Sequence, residues 1–207
     1  MEKINIAVLI SGSGTNLQAV IDSINKKEIN GDIKLVISNK KNAYGLKRAE
    51  KVGIKNIFIN SKKLNDENYD EKLLLELKKE AIDLIILAGY LKILSRNILK
   101  EYQNKIINIH PSLIPCFAGK KYYGIKVHEE AVKYGVKVSG ATTHFVNEEP
   151  DGGPIIIQKT VKVDYNDTAE SLQKKVLKVE HLILSESIRL FCEGRLEVSG
   201  RKVKIKQ

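Results

Sequence analysis

The chain is expected to be α/β, a doubly wound and mostly parallel sheet flanked by helices, with an antiparallel strand pair in its C-terminal half. Three observations predict this. Short, wholly apolar runs recur through the first half, each followed by a stretch whose apolar residues fall at helical spacing. A parallel sheet covered on both faces needs such strands. In the second half, two β-rich runs are joined by a short Gly/Pro loop, which marks antiparallel neighbours. The 207 residues suit a single domain, with an N-terminal half of about 1–105 and a C-terminal half of about 106–207.

Taken in order, Ile4–Ile10 is an apolar run ending in Ser-Gly-Ser-Gly. From 15 to about 27, Leu17, Val20, Ile21 and Ile24 recur at helical spacing, and Gly31 is expected to close that helix. Residues 33–38 read as the second strand, 44–52 as a helix stopped by Gly53, and 56–59 as the third strand. Residues 69–80 are helical, with Leu73, Leu74 and Leu77 as the buried stripe. Residues 84–88 form a fully apolar strand. Another, Ile106–His110, is reached through a short helix at Arg96–Glu101. A surface helix is expected at 126–134, strands at 138–146 and 155–163, and a long helix at 169–193 capped by Asp167 or Thr168. Residues 196–205 read as one final edge strand. No repeat or linker interrupts the series.

Composition narrows the function. The net charge is +10, yet only five of the 35 basic residues are arginine, and lysine is spread over every expected helix. Nucleic-acid grooves cluster arginine and interleave aromatics, so no nucleic-acid partner is expected, only some steering of anionic small molecules. No apolar run is longer than that at 84–88, which is too short for a bilayer, and residues 1–7 begin a strand where a leader would be charged and then apolar. Cys116 and Cys192 lack CxxC or Cys/His spacing, so no metal is expected, and two lone cysteines suit a reducing cytoplasm.

In a doubly wound sheet, ligands sit beyond the carboxyl ends of the strands. After the first strand stands Ser11-Gly12-Ser13-Gly14-Thr15-Asn16. Its glycines allow close backbone approach, and the helix start at Gly14, Thr15 and Asn16 would suit a phosphate. The turn is neither a P-loop nor GxGxxG, because position 17 is leucine, which argues against a nicotinamide cofactor. A plain β–α turn capped by Thr or Asn is the alternative. At the end of Ile106–His110, Asn108 and His110 share one face while Ile109 takes the other, and Pro111 ends the ladder. An amide donor beside an imidazole equips a site for an oxyanion and a proton transfer. Asp151, alone only a turn residue, would raise the histidine pKa if it came near. His144 either joins this cluster or is an ordinary sheet residue. His128 is expected on the surface, His181 stays ambiguous, and Ser112 lacks a nucleophile elbow.

Five segments occur in a telling order: Ile-Ser-Gly-Ser-Gly-Thr-Asn-Leu-Gln (10–18), Leu-Ala-Gly-Tyr-Leu-Lys-Ile-Leu-Ser (87–95), Asn-Ile-His-Pro-Ser-Leu-Ile-Pro (108–115), Gly-Ala-Thr-Thr-His-Phe-Val (140–146) and Asp-Gly-Gly-Pro-Ile-Ile-Ile-Gln (151–158). Together they resemble the phosphoribosylglycinamide formyltransferases, a folate-dependent family of purine synthesis with a Rossmann-like fold. The resemblance covers nearly the whole chain. It implies formyl transfer from 10-formyltetrahydrofolate to glycinamide ribonucleotide, with no metal and only small-molecule substrates, by a monomer or homodimer. It implies Asn108, His110 and Asp151 as the catalytic trio, with Asn108 the oxyanion donor, His110 the proton donor and Asp151 the carboxylate that raises the His110 pKa and keeps the imidazole charged. Gly14, Thr15, Asn16, Pro111 and Glu180 would contact the ribonucleotide. Leu91, Lys92, Ile93, Leu94, Asn108 and Val146 would contact folate, the loop from Val146 to Asp151 closing over the pterin. Two positions depart from the family. Its arginine near the folate tail falls near Asp66 here, with Lys62, Lys63 or Lys92 as substitutes. A polar phosphate helper is replaced by Leu177.

Related formyl enzymes share the trio. A formyltetrahydrofolate deformylase is expected to carry an extra N-terminal domain and a second histidine where Pro111 stands, and methionyl-tRNA formyltransferase a C-terminal barrel. A non-catalytic nucleotide- or RNA-binding module is the rival of another class. It leaves the joint occurrence of Asn108, His110 and Asp151 without a reason.

Overall fold

The computed structural model describes residues 2–61 and 64–207. Two compact units divide the chain, Met1–Ile107 and Asn108–Gln207. The first runs β1 (Ile4–Ile10), α1 (Thr15–Asn25), β2 (Gly31–Ser38), α2 (Tyr44–Lys51), β3 (Asn56–Phe58), α3 (Asp66–Lys79), β4 (Leu84–Leu87) and α4 (Arg96–Glu101). Its strands are parallel in the order β3-β2-β1-β4. The wholly apolar strands lie innermost: residues 6–10 of β1 and 84–86 of β4 are entirely out of water. Each of their Val, Leu and Ile side chains contributes roughly 1.5–3 kcal/mol of burial. Strand order reverses at β1, with β2 and β3 to one side and β4 to the other, so a ligand crevice is expected beyond the ends of β1 and β4.

In the second unit, the last three residues of β5 (Ile106–His110) are followed by α5 (Ile125–Tyr134), β6 (Val138–Phe145), β7 (Ile155–Lys162), α6 (Ala169–Cys192), β8 (Leu196–Ser199) and β9 (Lys202–Ile205). The order is β5-β6-β7-β9-β8, with β6 and β7 antiparallel as their Gly/Pro loop predicts. Thr168 caps α6: its hydroxyl accepts from Ser171 N–H at 3.2 Å, and the Ser171 hydroxyl accepts from Thr168 N–H at 2.9 Å.

Four expectations change. Residues 196–205 form a hairpin, not one strand: Ser199 pairs with Lys202 across a two-residue loop whose first residue, Gly200, has φ 58°. Helix α3 starts three residues early because Asn65 Oδ1 accepts from Asn68 N–H at 2.8 Å and Asp66 and Glu67 suit the positive helix end. Helix α5 does lie at the surface, but His128 is not on its outer face. It buries Val127, His128 and Ala131, and His128 is 1% exposed. Finally, α1 is closed by Lys27 at φ 61°, not by Gly31, which already opens β2. Glu28 N–H reaches Ser23 O and Lys27 N–H reaches Ile24 O, both at 2.9 Å, a Schellman closure with lysine in the glycine position.

The lysine side chain there is exposed and its left-handed backbone is strained. Lys27→Gly is therefore expected to stabilise the protein by about 1 kcal/mol, read as a higher urea midpoint with an unchanged slope.

Candidate active site

At the carboxyl edge of the first unit, Gly14 is the N-cap of α1 in a left-handed conformation, φ 71°, with no side-chain cap. The Thr or Asn cap weighed from sequence is not used. A Cβ on Gly14 would sit 2.6 Å from the Cα of Gly45, and one on Gly45 would sit 2.3 Å from Ile10 Cδ1, so the turn and the first turn of α2 meet glycine to glycine. Ser11 ties neighbouring loops together: its hydroxyl donates to Asn39 Oδ1 at 2.7 Å and accepts from Leu91 N–H at 2.9 Å. Its own N–H reaches Gly89 O at 3.1 Å. The segment 91–94 is thus held beside the turn, with Leu91 and Ile93 exposed and Leu94 buried.

Lys92 lies over the Tyr69 ring, 4.9 Å from its centroid, and is paired with the Asp66 carboxylate. Of the three lysines considered near the folate tail, this one has its charge already matched. Lys62 and Lys63 lie outside the described residues.

The second unit assembles the trio around one carboxylate. Asp151 Oδ1 accepts from the Asn108 amide at 3.3 Å, Asp151 Oδ2 lies 3.4 Å from His110 Nδ1, and Gly119 N–H donates to Oδ2 at 2.8 Å. Asn108 and His110 therefore share a face of β5, as strand alternation requires. Phe117 O can only accept, so the 2.8 Å contact fixes a proton on His110 Nε2 and leaves Nδ1 facing Asp151. His144 joins the cluster: Nδ1 donates to Phe145 O at 2.8 Å, and Nε2 accepts from the Asn108 amide at 3.1 Å. Both N–H groups of Asn108 thus have acceptors.

The loop between β6 and β7 is shaped for this. Asp151 has φ 54°, a strained conformation that aspartate tolerates better than most residues. A Cβ on Gly153 would lie 1.7 Å from Phe145 O, so only glycine passes there. Pro111 follows β5 directly, Val146 follows β6 and is half-buried, and Glu180 is 7% exposed on α6. The Phe117 carbonyl and the Gly119 N–H escape sequence reasoning, because backbone groups leave no residue signature. Among the described residues, no group of three His, Cys, Asp or Glu is placed to hold a metal, and no helix is long and apolar enough to cross a membrane.

Burial dominates the electrostatics. It pushes His110 below the ordinary imidazole range, against the opposing pull of Asp151 and the Phe117 carbonyl. Asp151 acts in the expected direction but does not by itself keep the imidazole charged. For Asp151, burial pushes upward, but the His144 ring, the His110 charge and the Gly119 N–H outweigh it, and the carboxyl ends lower than usual.

The formyl transferase family model matches residues 4–188. A phosphoribosylglycinamide formyltransferase of Escherichia coli (strain K12) is 40% identical over 195 residues, spanning 94% of this chain and 90% of its own. The chloroplastic protein of that name in Arabidopsis thaliana is 39% identical over 194 residues, and the match spans 93% of this chain but 66% of that one. The crystal structure of glycinamide ribonucleotide transformylase 1 from Symbiobacterium toebii matches with a TM-score of 0.94 and 42% identity, over 100% of this chain and 95% of that one.

Two titrations test this cluster. Replacing Asp151 with Asn removes the largest influence raising the His110 pKa, so the His110 NMR titration should move further down. An upward move would contradict the coupling. Burial, with the His110 charge behind it, lowers His128 to about 4 from 6.5. A depressed histidine pKa stabilises the fold fully above the unfolded value, and that contribution is lost as pH falls from about 6.5 through about 4. The contribution is about 3 kcal/mol. Urea unfolding at a series of pH values should show the loss, and His128→Phe should flatten it.

Proposed function

The chain belongs to the formyl transferase family, and on that footing we propose that it transfers the formyl group of 10-formyltetrahydrofolate to the amine of N1-(5-phosphoribosyl)glycinamide. The products are the N-formyl ribonucleotide and tetrahydrofolate, a step of de novo purine (IMP) biosynthesis. The observation that carries this reading is one half-buried carboxylate, Asp151, that accepts from the Asn108 amide and lies 3.4 Å from the His110 ring.

The chemistry follows from that arrangement. The amine attacks the formyl carbon, and negative charge develops on the formyl oxygen. Asn108 donates to that oxygen by exchanging one of its present acceptors. His110 Nδ1 takes the proton released by the attacking amine, and the imidazolium so formed lies against Asp151 and the oxyanion. As the intermediate collapses, His110 donates that proton to the departing folate nitrogen. Its lowered pKa makes the resting imidazole neutral and able to accept, while Asp151 raises its affinity for the proton.

The uncapped turn at Gly14, Thr15 and Asn16 is assigned to the ribonucleotide phosphate, with Pro111 and Glu180 also on that substrate. Leu91, Lys92, Ile93, Leu94, Asn108 and Val146 are assigned to the folate, the exposed Leu91 and Ile93 offering apolar surface. The reading needs small-molecule substrates only, as a monomer or a homodimer. It places the protein in the cytoplasm, in keeping with two free cysteines.

The test is formyl transfer assayed with glycinamide ribonucleotide and without any acceptor. Product only in the first mixture supports the reading. Tetrahydrofolate released without acceptor would indicate a deformylase, and silence in both a binding module. Within the active protein, Asn108→Ala should cost on the order of 3–4 kcal/mol of turnover. His110→Ala should bind ribonucleotide nearly normally yet lose most of kcat, and a near-normal kcat would remove His110 from its role.

A further inference from the structure

Resting on the phosphate assignment above, we propose that Arg48 is a positioning residue for the ribonucleotide phosphate: from α2 it sets the direction of the backbone donors in the turn after β1. Its Nε donates to Ser13 O at 2.9 Å and its Nη1 to Gln18 Oε1 at 3.1 Å. Its guanidinium also lies over the Tyr44 ring, 5.1 Å from the centroid. Gln18 is oriented in turn, because its Nε2 donates to Asp22 Oδ1 at 2.9 Å, leaving its oxygen for Arg48. A planar guanidinium held at three points is a rigid brace rather than a loose surface charge.

The consequence lies across the peptide plane. A trans peptide points its C=O and the following N–H in opposite directions. Arg48 claims the Ser13 carbonyl, and Gly45 N–H claims the Gly12 carbonyl at 3.1 Å. The N–H groups of Ser13 and Gly14 are therefore both turned away from α2. With Gly14 left-handed and no side chain capping α1, these donors and the helix start form an anion-binding concavity. The Gly14–Gly45 contact sets how closely the brace approaches. Arg48 itself stands on the carbonyl side, so it acts through the turn.

The experiment measures binding of glycinamide ribonucleotide by calorimetry and the KM and kcat of formyl transfer in Arg48→Met, Arg48→Lys and Gln18→Met, each first confirmed folded by its melting curve. Arg48→Met should weaken ribonucleotide binding and raise its KM about ten-fold, with kcat at saturation and the folate KM unchanged. Arg48→Lys, which keeps the charge but loses the fork, should fall between, and Gln18→Met should show a smaller rise of the same kind. Ribonucleotide binding within two-fold of wild type in Arg48→Met, or a loss confined to kcat, would overturn the proposal. So would complete rescue by lysine, since charge alone would then suffice. Failure of the phosphate assignment reads differently: the unaltered protein would bind ribonucleotide no better than its dephosphorylated nucleoside.

Discussion

A carboxylate leaves water only if other groups replace what water did for it, and the second unit is organised around meeting that demand at Asp151. An amide from β5, an imidazole from β5, a ring from β6 and a backbone N–H from the loop after β5 converge on its two oxygens. The amide and the backbone N–H donate, the two rings lie alongside, and together they outweigh the desolvation of the charge. The same convergence sets the state of His110. Its Nε2 proton is held by a carbonyl, burial favours the neutral ring, and the carboxylate makes the charged ring attainable. Under the proposed mechanism, acid and base roles would both fall to this one group.

The first unit meets a different constraint. Residues 6–10 of β1 and 84–86 of β4 are wholly buried and apolar, so ligands of such a sheet are expected just past the strand ends. Glycine at 14 and 45 lets backbone meet backbone at that edge, and in the proposed reading the main chain there meets the phosphate. The two units therefore differ in what they carry, a glycine-rich turn at a helix start in one and a cluster of Asn108, His110, His144 and Asp151 side chains in the other.

Much of this is legible from residues alone, and the exceptions share a cause. The bounds of β1 and β5 agree with expectation to the residue, because the first run gives way to Ser11-Gly12 and Pro111 follows the second. The clustering of Asn108 and His110 is legible because they alternate on a strand, whereas Asp151, in a turn sequence, joins them only through the family resemblance. What escapes is set by backbone geometry or by tertiary burial. Lys27 closes α1 although lysine rarely does so, and Gly200 splits one expected strand into two. His128 reads as polar surface, yet the packing of α5 buries it with Val127 and Ala131. The Phe117 carbonyl and the Arg48 brace carry no motif, since their meaning lies in what they face.

The hydroxyl of Ser11 carries one proton and two lone pairs, and it links the loops that follow β1, β2 and β4. Three connections that could fluctuate separately are thereby made one mechanical body. A substrate that touches any of them meets all three already mutually ordered, and the entropy of arranging them is lost during folding rather than at each encounter. The same linkage makes the edge unforgiving of change, for lengthening any one loop would disturb the other two.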